Sequence, residues 1–441
     1  MKLFFVLIIL LIFQNCSFDN KTGIWENNNI PKESNDLFKE FKKVSTSEDV
    51  FNEIIPFTKN YKFRSLPPKK NLSWKDIFFQ NNNNLINFKY NNSNNIIFKS
   101  KKLTRSKVNK DILFENGNLI ISDESGNIIV YSIKKKKIIA KYNFYKKKYK
   151  KIKKRLNLYV ENSTIYVSDN IGYLYSFNYL NKKINWAQNI KIPFSSNLKI
   201  ISNKILTSDQ NNNLYFFDKS NGQNLKLIPT ETVTLKNKFQ NNLSITSEND
   251  LLFLNSYGSL YSINLDIMDI NWFINLNQSL DLSKTNLFSG SKIINNDSYI
   301  VVSSNNSSYI LDSLTGSIIS KFNFSSIVKP IIQDNVVFFI TRNNLLIAIN
   351  LRNNKIIYSL DINQQVAKFL NTRKKNLKFK NFMLLNNELF IFLENSYVLK
   401  FNINGELKKV YKLPSKIYTL PIIIDDSILY LNHKNRLTLL D

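Results

Sequence analysis

From about residue 84 to its end, the chain is written in short apolar runs with alternating polar positions, each cut off by a polar cluster rich in asparagine. Alternation at period two predicts half-buried strands, because the apolar positions of a helix recur at three and four. Laid over one another, the runs repeat. Ile-Val-Tyr-Ser-Ile-Lys (129–134) has counterparts in Leu-Tyr-Ser-Phe-Asn (174–178), Leu-Tyr-Phe-Phe-Asp (214–218) and Leu-Tyr-Ser-Ile-Asn (260–264). Four more follow, ending at Asp312, Asn350, Asn402 and Asp441. The spacing between 134 and 441 averages about 44 residues over seven intervals, the length of one blade of a propeller.

Each unit has the same plan. A strand such as Thr164–Ser168 enters a turn (169–172), a second strand follows (Tyr173–Phe177), then a polar turn (181–183) and a third strand carrying an aromatic. That aromatic is Trp186 here, Trp272 in the matching place and Tyr358 in a later unit. A fourth strand such as Lys199-Ile200-Ile201 begins the next unit. The pattern predicts an all-β fold: an eight-bladed β-propeller of four-stranded antiparallel blades, in which stacking around an axis buries both faces of every sheet. The last unit stops at Asp441 after its third strand. Segment 95–100 is the candidate for the missing strand, so that an N-terminal strand completes the last blade.

Composition changes the picture in three places. Only nine glycines and nine prolines are present, so the turns fall to asparagine, which tolerates left-handed backbone and bonds its own main chain. The formal net charge of +28 would suit an anionic partner, yet the lysines are scattered, with one dense run at 134–155 and no nucleic-acid-binding motif around it. That run, with Lys146–Lys148 at its centre, leaves a polyanion- or cell-envelope-binding propeller as one alternative. The chain has one histidine and one cysteine, so no internal disulfide and no Cys/His zinc site is expected. His433 reads as a solvated turn residue. No metal, no nucleic acid and no catalytic residue are expected.

The N-terminus carries a targeting signal. Lys2 and an apolar stretch from Leu3 to Phe13 have the length of a signal peptide and not of a membrane span. The stretch ends at Gln14-Asn15-Cys16-Ser17. A cysteine in that place resembles the lipidation site of bacterial lipoproteins, although Asn15 stands where a small residue usually precedes it. The expected organisation is a signal peptide (1–15), a lipid-anchored tether with short helices (16–83) and the propeller (84–441). The helical spacing of the tether rests on Leu37, Phe38, Phe41, Val44, Val50, Phe51, Ile54 and Ile55.

The repeats resemble the PQQ-type propeller motif, loosely Ala-x-Asp-x-x-Thr-Gly-x-x-x-Trp. The clearest copy is Leu311-Asp312-Ser313-Leu314-Thr315-Gly316, with others at 217–222 and 178–186. Together with the signal and cysteine, the chain is similar to BamB-like outer-membrane assembly-factor lipoproteins, and Leu72-Ser73-Trp74 with the Asn run at 81–84 resembles their pre-propeller region. The resemblance implies a non-enzymatic scaffold without a cofactor, anchored at the periplasmic face of the outer membrane. It also implies binding to the periplasmic part of the central barrel subunit and, as a further option, to strands of unfolded outer-membrane proteins. Loops leaving an outer strand are where such contacts sit, which singles out Ile192, Pro193 and Phe194 after Trp186, and Leu280, Asp281, Leu282 and Lys284 after Trp272. The competing alternative is a PQQ-dependent quinoprotein dehydrogenase. Against it, the connections between repeats look too short to form a cofactor lid.

Overall fold

The computed structural model describes residues 50–58, 60–145, 149–232, 239–277 and 288–441, and the short strands Cys16–Phe18 and Trp25–Asn27. The chain divides into two compact units, Met1–Asp49 and Val50–Asp441. In the first, the two short strands pair antiparallel, with Cys16 opposite Asn27.

The second unit is an eight-bladed propeller. Its blades span residues 113–143, 156–189, 199–228, 242–275, 294–322, 331–361, 379–412 and 422–440, each numbered here in chain order. The innermost strands are Leu113–Glu115, Leu156–Glu161, Lys199–Ile201, Asn242–Ile245, Ile294–Asn295, Ile331–Gln333, Phe379–Leu385 and Ile422–Ile424, six of them four residues or fewer. Strict alternation is found only toward the rim. In blade 2, Thr164–Asp169 is buried on both faces after its first residue, whereas the outermost strand Lys183–Asn189 alternates and is largely exposed. The middle strands lie between two neighbouring blades, so both faces need apolar side chains. In blade 1 the strand ends at Ser132, two residues before the repeat position read at Lys134.

Blade 8 takes its outermost strand from the other end of the chain. Ile96–Lys102 pairs antiparallel with Arg436–Leu440, with Thr438 opposite Lys99 and Leu439 opposite Phe98. The ends are tied further by Asn94 and Ser93, which donate to the Asp441 carbonyl. Joining first and last sheets removes the open seam that a linear stack would leave.

The turns use asparagine as expected. Asn116, Asn162, Asn212, Asn344 and Asn354 are among the many non-glycine residues with positive φ. Glycine is kept where an aromatic docks. Trp186 of blade 2 lies against Gly222 in the turn before the outermost strand of blade 3, and its Nε1 donates to the Lys219 carbonyl at 3.1 Å. Trp272 of blade 4 repeats this on Gly316 of blade 5, donating to the Leu314 carbonyl at 2.8 Å. Tyr358 of blade 6, fully buried, packs beside Gly405 of blade 7 and donates to the Ile403 carbonyl at 3.0 Å. The equivalent strand positions of blades 1, 3 and 5 are Ala140, Lys226 and Ser320. There the facing turns carry Lys182, Met268 and Asn354, all with φ near +58°. A Cβ on Gly222 would stand 2.5 Å from the Trp186 ring, at φ +76°. Gly222→Ala is therefore expected to cost about 1–3 kcal/mol in denaturant unfolding, whereas Lys182→Gly, with no ring above it, is expected to stay within about 0.5 kcal/mol.

Two expectations change. The compact unit that holds the blades begins at Val50, and residues 50–83 contain no helix among those described, against the short helices expected over 50–55. Ile55 and Ser359 exchange backbone hydrogen bonds at 3.0 and 2.9 Å, so the segment covers the free edge of blade 6. Phe57 and Phe63 stack on one another and reach Tyr358 and Phe338. Aromatic burial on a ready sheet edge outweighs the weak helical spacing read at 50–55; residues 37–44 of that pattern lie outside the described residues. The connection between blades 6 and 7 is also longer than expected. It contains a helix, Ile362–Phe369, whose start is capped by the Asp361 side chain accepting from the Gln364 N–H.

Candidate functional site

An innermost strand has only one strand neighbour, so its inward edge presents unpaired N–H and C=O groups to the central channel. Residues 71–88 meet these groups in turn and encircle the axis once. The Asn71 side chain donates to the Ile423 carbonyl of blade 8 at 2.7 Å. Trp74 and Phe114 of blade 1 exchange backbone bonds, and Val160 of blade 2 donates to the Lys75 carbonyl. In blade 3, the Lys199 ammonium donates to Asp76 at 2.5 Å and to the Gln80 carbonyl at 2.8 Å. Ile245 of blade 4 and Asn295 of blade 5 donate to the Asn81 and Asn82 carbonyls. Asn84 both donates to and accepts from Ile332 of blade 6, at 2.8 and 2.9 Å. Asn87–Phe88 then adds in parallel to Leu384–Leu385 of blade 7.

Asparagine suits this hub because one planar amide offers two donors and an acceptor. Asn83 is fully buried with φ +59°, and its amide bridges the Leu243 and Ile293 carbonyls of blades 4 and 5 at 2.9 and 3.0 Å. Trp74, 4% exposed, packs on Phe79 and Phe88 beneath the ring. Lys199 and Asp76 are 0% and 2% exposed at their side chains. Burial pulls the Lys199 ammonium below the usual lysine range, and the Asp76 carboxylate opposes this.

The two ends of the channel differ. One opens into a polar cavity of about 490 Å³ lined by Asn81, Asn82, Thr246, Asn296 and Asp297. The other opens into a cavity of about 230 Å³ lined by Lys292, Lys329 and Lys380, with Asp111. Burial pulls Lys329 down to about 7 and both Lys292 and Lys380 down to about 8. Between those values and the ordinary lysine range, the unfolded chain binds more protons than the folded one, so stability rises with pH across that window. Above about pH 10 the sign reverses. Burial raises Tyr90, Tyr159 and Tyr215, so the unfolded chain then loses protons first. Urea midpoints are expected to climb from pH 7 to near 10 and then fall, and Lys329→Met is expected to flatten the climb.

Among the residues singled out from sequence, Trp186, Trp272 and Tyr358 sit between blades as described above. Phe194 is 4% exposed and packs on Tyr215 and Phe217, with its N–H donating to the Asp169 carbonyl. It is a core residue, because its strand-like bridge to Asp209 turns the ring into the gap between blades 2 and 3. Ile192 and Pro193 are half-buried beside it. Leu280, Asp281, Leu282 and Lys284 lie outside the described residues, as do Lys146–Lys148. Of the remaining basic run, Lys154 is 3% exposed and donates to the Tyr149 carbonyl beneath the Tyr145 ring. His433 is exposed in its turn, with Tyr418 beside it. The turn carboxylates Asp169 and Asp209 accept backbone N–H bonds from the residues that follow them. The Asp76–Lys199 pair and the lysine-lined mouth were missed by sequence reasoning, since no local motif joins residues 123 positions apart.

Over residues 146–360 the chain matches the family model described as Outer membrane protein assembly factor BamB. No curated protein matches the sequence. The crystal structure of BamB from Moraxella catarrhalis is similar at 12% identity with a TM-score of 0.60, covering 79% of this chain and 99% of that one. Quinohemoprotein alcohol dehydrogenase from Comamonas testosteroni is similar at 10% identity and 0.58, covering 83% and 80%. Quinohemoprotein alcohol dehydrogenase ADHIIG from Pseudomonas putida HK5 gives 8% and 0.60, covering 84% and 80%. These likenesses concern the fold. A quinone held by a divalent cation does not fit the residues at this axis. The channel core is filled by residues 71–88, Asp76 is closed by Lys199, and the lysine-lined mouth repels a cation. Among the described residues no three His, Cys, Asp or Glu side chains converge as ligands. With eight blades, a repeating Asp/Asn turn and strand aromatics docked on the next blade's glycine, the chain is an eight-bladed β-propeller that is similar to PQQ-like propellers over residues 146–360.

Proposed function

We propose that this chain is a non-enzymatic scaffold subunit of the machinery that assembles β-barrel proteins in the outer membrane. The observation that carries the reading is the hub: residues 71–88 bond to the innermost strand of every blade, so the axis is built as structure. What a rigid disc of this kind offers a partner is its faces, its rim loops and its outer strand edges. The partner is the periplasmic part of the central barrel subunit, and strands of unfolded outer-membrane proteins can add to the outer edges. Residues 1–15 are the signal peptide and Cys16 takes the lipid, which holds the propeller at the periplasmic face. On the rim, Ile192 and Pro193 are the contact residues beside the buried Phe194, together with Leu280, Asp281, Leu282 and Lys284.

The test is affinity capture of the tagged chain from native membranes, with bound proteins identified by mass spectrometry. Recovery of the barrel-assembly subunit, reduced by Ile192→Glu and by replacement of residues 280–284 with Gly/Ser, is expected. Capture of no partner, together with quinone-dependent dye reduction on an alcohol or sugar, would sink the scaffold and restore the dehydrogenase. Capture of anionic envelope polymers alone would favour the polyanion-binding alternative.

A further inference from the structure

Three lysines of successive blades converge on one mouth of the channel instead of pointing to the surface. Lys292 stands just before the innermost strand of blade 5, Lys329 just before that of blade 6, and Lys380 within that of blade 7. The Lys292 and Lys329 ammoniums lie 5.2 and 6.0 Å from the centroid of one ring, Phe78 of the hub. Lys329 donates to the Phe78 and Asn83 carbonyls at 3.0 and 2.6 Å, and Lys380 to the Tyr418 carbonyl at 2.6 Å. These bonds fix the ammoniums in place without neutralising them. Asp111 is the one carboxylate lining the cavity. Arg155 adds to the repulsion felt by Lys292, and Lys110 to that felt by Lys380. Three lysines thus face one carboxylate across a recess of about 230 Å³, with Asp76 and Glu394 acting on Lys329 and Lys380 from outside its lining.

Like charges gathered in a recess are costly unless a counter-charge joins them. The recess is too small for a polymer strand and suits a compact group with several acceptor oxygens, for which lysine is a natural partner. We infer that this mouth is a binding site for a phosphate dianion, free or as the head of a phosphomonoester. The scaffold reading neither requires nor excludes it. Lowered lysine pKa values fit the same picture, since a bound dianion would restore the full positive charge.

The test is titration of the full chain with inorganic phosphate at constant ionic strength, followed by calorimetry. One saturable site is expected, weakened at least about tenfold by Lys329→Met or Lys292→Met and unchanged by Lys135→Met on an exposed turn. Asp111→Asn keeps every lysine and removes the opposing charge, so it is expected to tighten binding several-fold, a direction that misfolding cannot produce. Vesicles of phosphatidic acid in phosphatidylcholine separate the sources. Vesicle binding insensitive to Lys329→Met assigns the site to a soluble phosphate, and a parallel loss assigns it to a lipid headgroup. No saturable phosphate binding up to about 10 mM, or binding indifferent to both the lysine and the Asp111 changes, overturns the inference.

Discussion

Asp76→Ala is expected to lower the stability of the propeller by about 3–5 kcal/mol, because it leaves the buried Lys199 ammonium without its counter-charge. The Lys199 side chain is fully buried, and its remaining partner would be the Gln80 carbonyl. The same substitution also removes the acceptor for the Phe78 N–H, which lies 2.7 Å from the Asp76 carboxylate. Lys199→Met alone is expected to cost nearly as much, since the carboxylate is then left without its counter-charge. The double variant Asp76→Ala, Lys199→Met is expected to lose much less than the sum of the two, because no charge is left to desolvate. Urea unfolding of the four proteins checks this. Additive losses in the double variant would mean that the pair is not coupled and that the hub is not held as described.

Asn83→Ala together with Asn84→Ala is expected to cost about 3–6 kcal/mol, the second large effect, from four side-chain bonds to buried backbone groups. The carbonyls of Ile293 and Ile332 and the Ile332 N–H would lose these partners, and the Leu243 carbonyl would keep only the Asn197 amide. The loss is expected to be cooperative across blades 4 to 6, so hydrogen exchange at Leu243 and Ile332 should accelerate together. Substituting Asn91 and Asn92, outside the hub, is expected to change exchange at neither site.

Much of this fold is legible in the chain because a propeller repeats one local plan. The period near 44, the turn Asp and Asn residues, the Asn-for-Gly exchange and the closing strand at 96–102 are all local features, and each copy corroborates the others. The hub is only half legible. Trp74 and the Asn run at 81–84 stand out, but what they bond to are backbone groups, 40 residues away for Trp74 and 160 to 248 away for Asn83 and Asn84, which carry no side-chain signature. The strap at 50–63 does not form the helix its spacing suggests because its partners lie far along the chain: Ile55 bridges Ser359, Phe57 meets Tyr358, Phe51 packs on Phe324 and Phe63 on Phe338. Phe194 shows the same limit from the other side: an apolar residue in a loop between blades looks like an anchor for a partner until the neighbouring Tyr215 and Phe217 are in view. The lysine mouth is hidden for a compositional reason. With 61 Lys and Arg residues in the chain, nothing sets Lys292, Lys329 and Lys380 apart until the axis brings them together.

The most direct test of the scaffold reading is calorimetric titration of the purified chain with the purified periplasmic part of the central barrel subunit. Saturable one-to-one binding near the micromolar range, weakened at least about tenfold by changes at Ile192 and 280–284, is the predicted result. Absence of heat at any accessible concentration, with the propeller shown folded by its urea transition, would contradict the scaffold role.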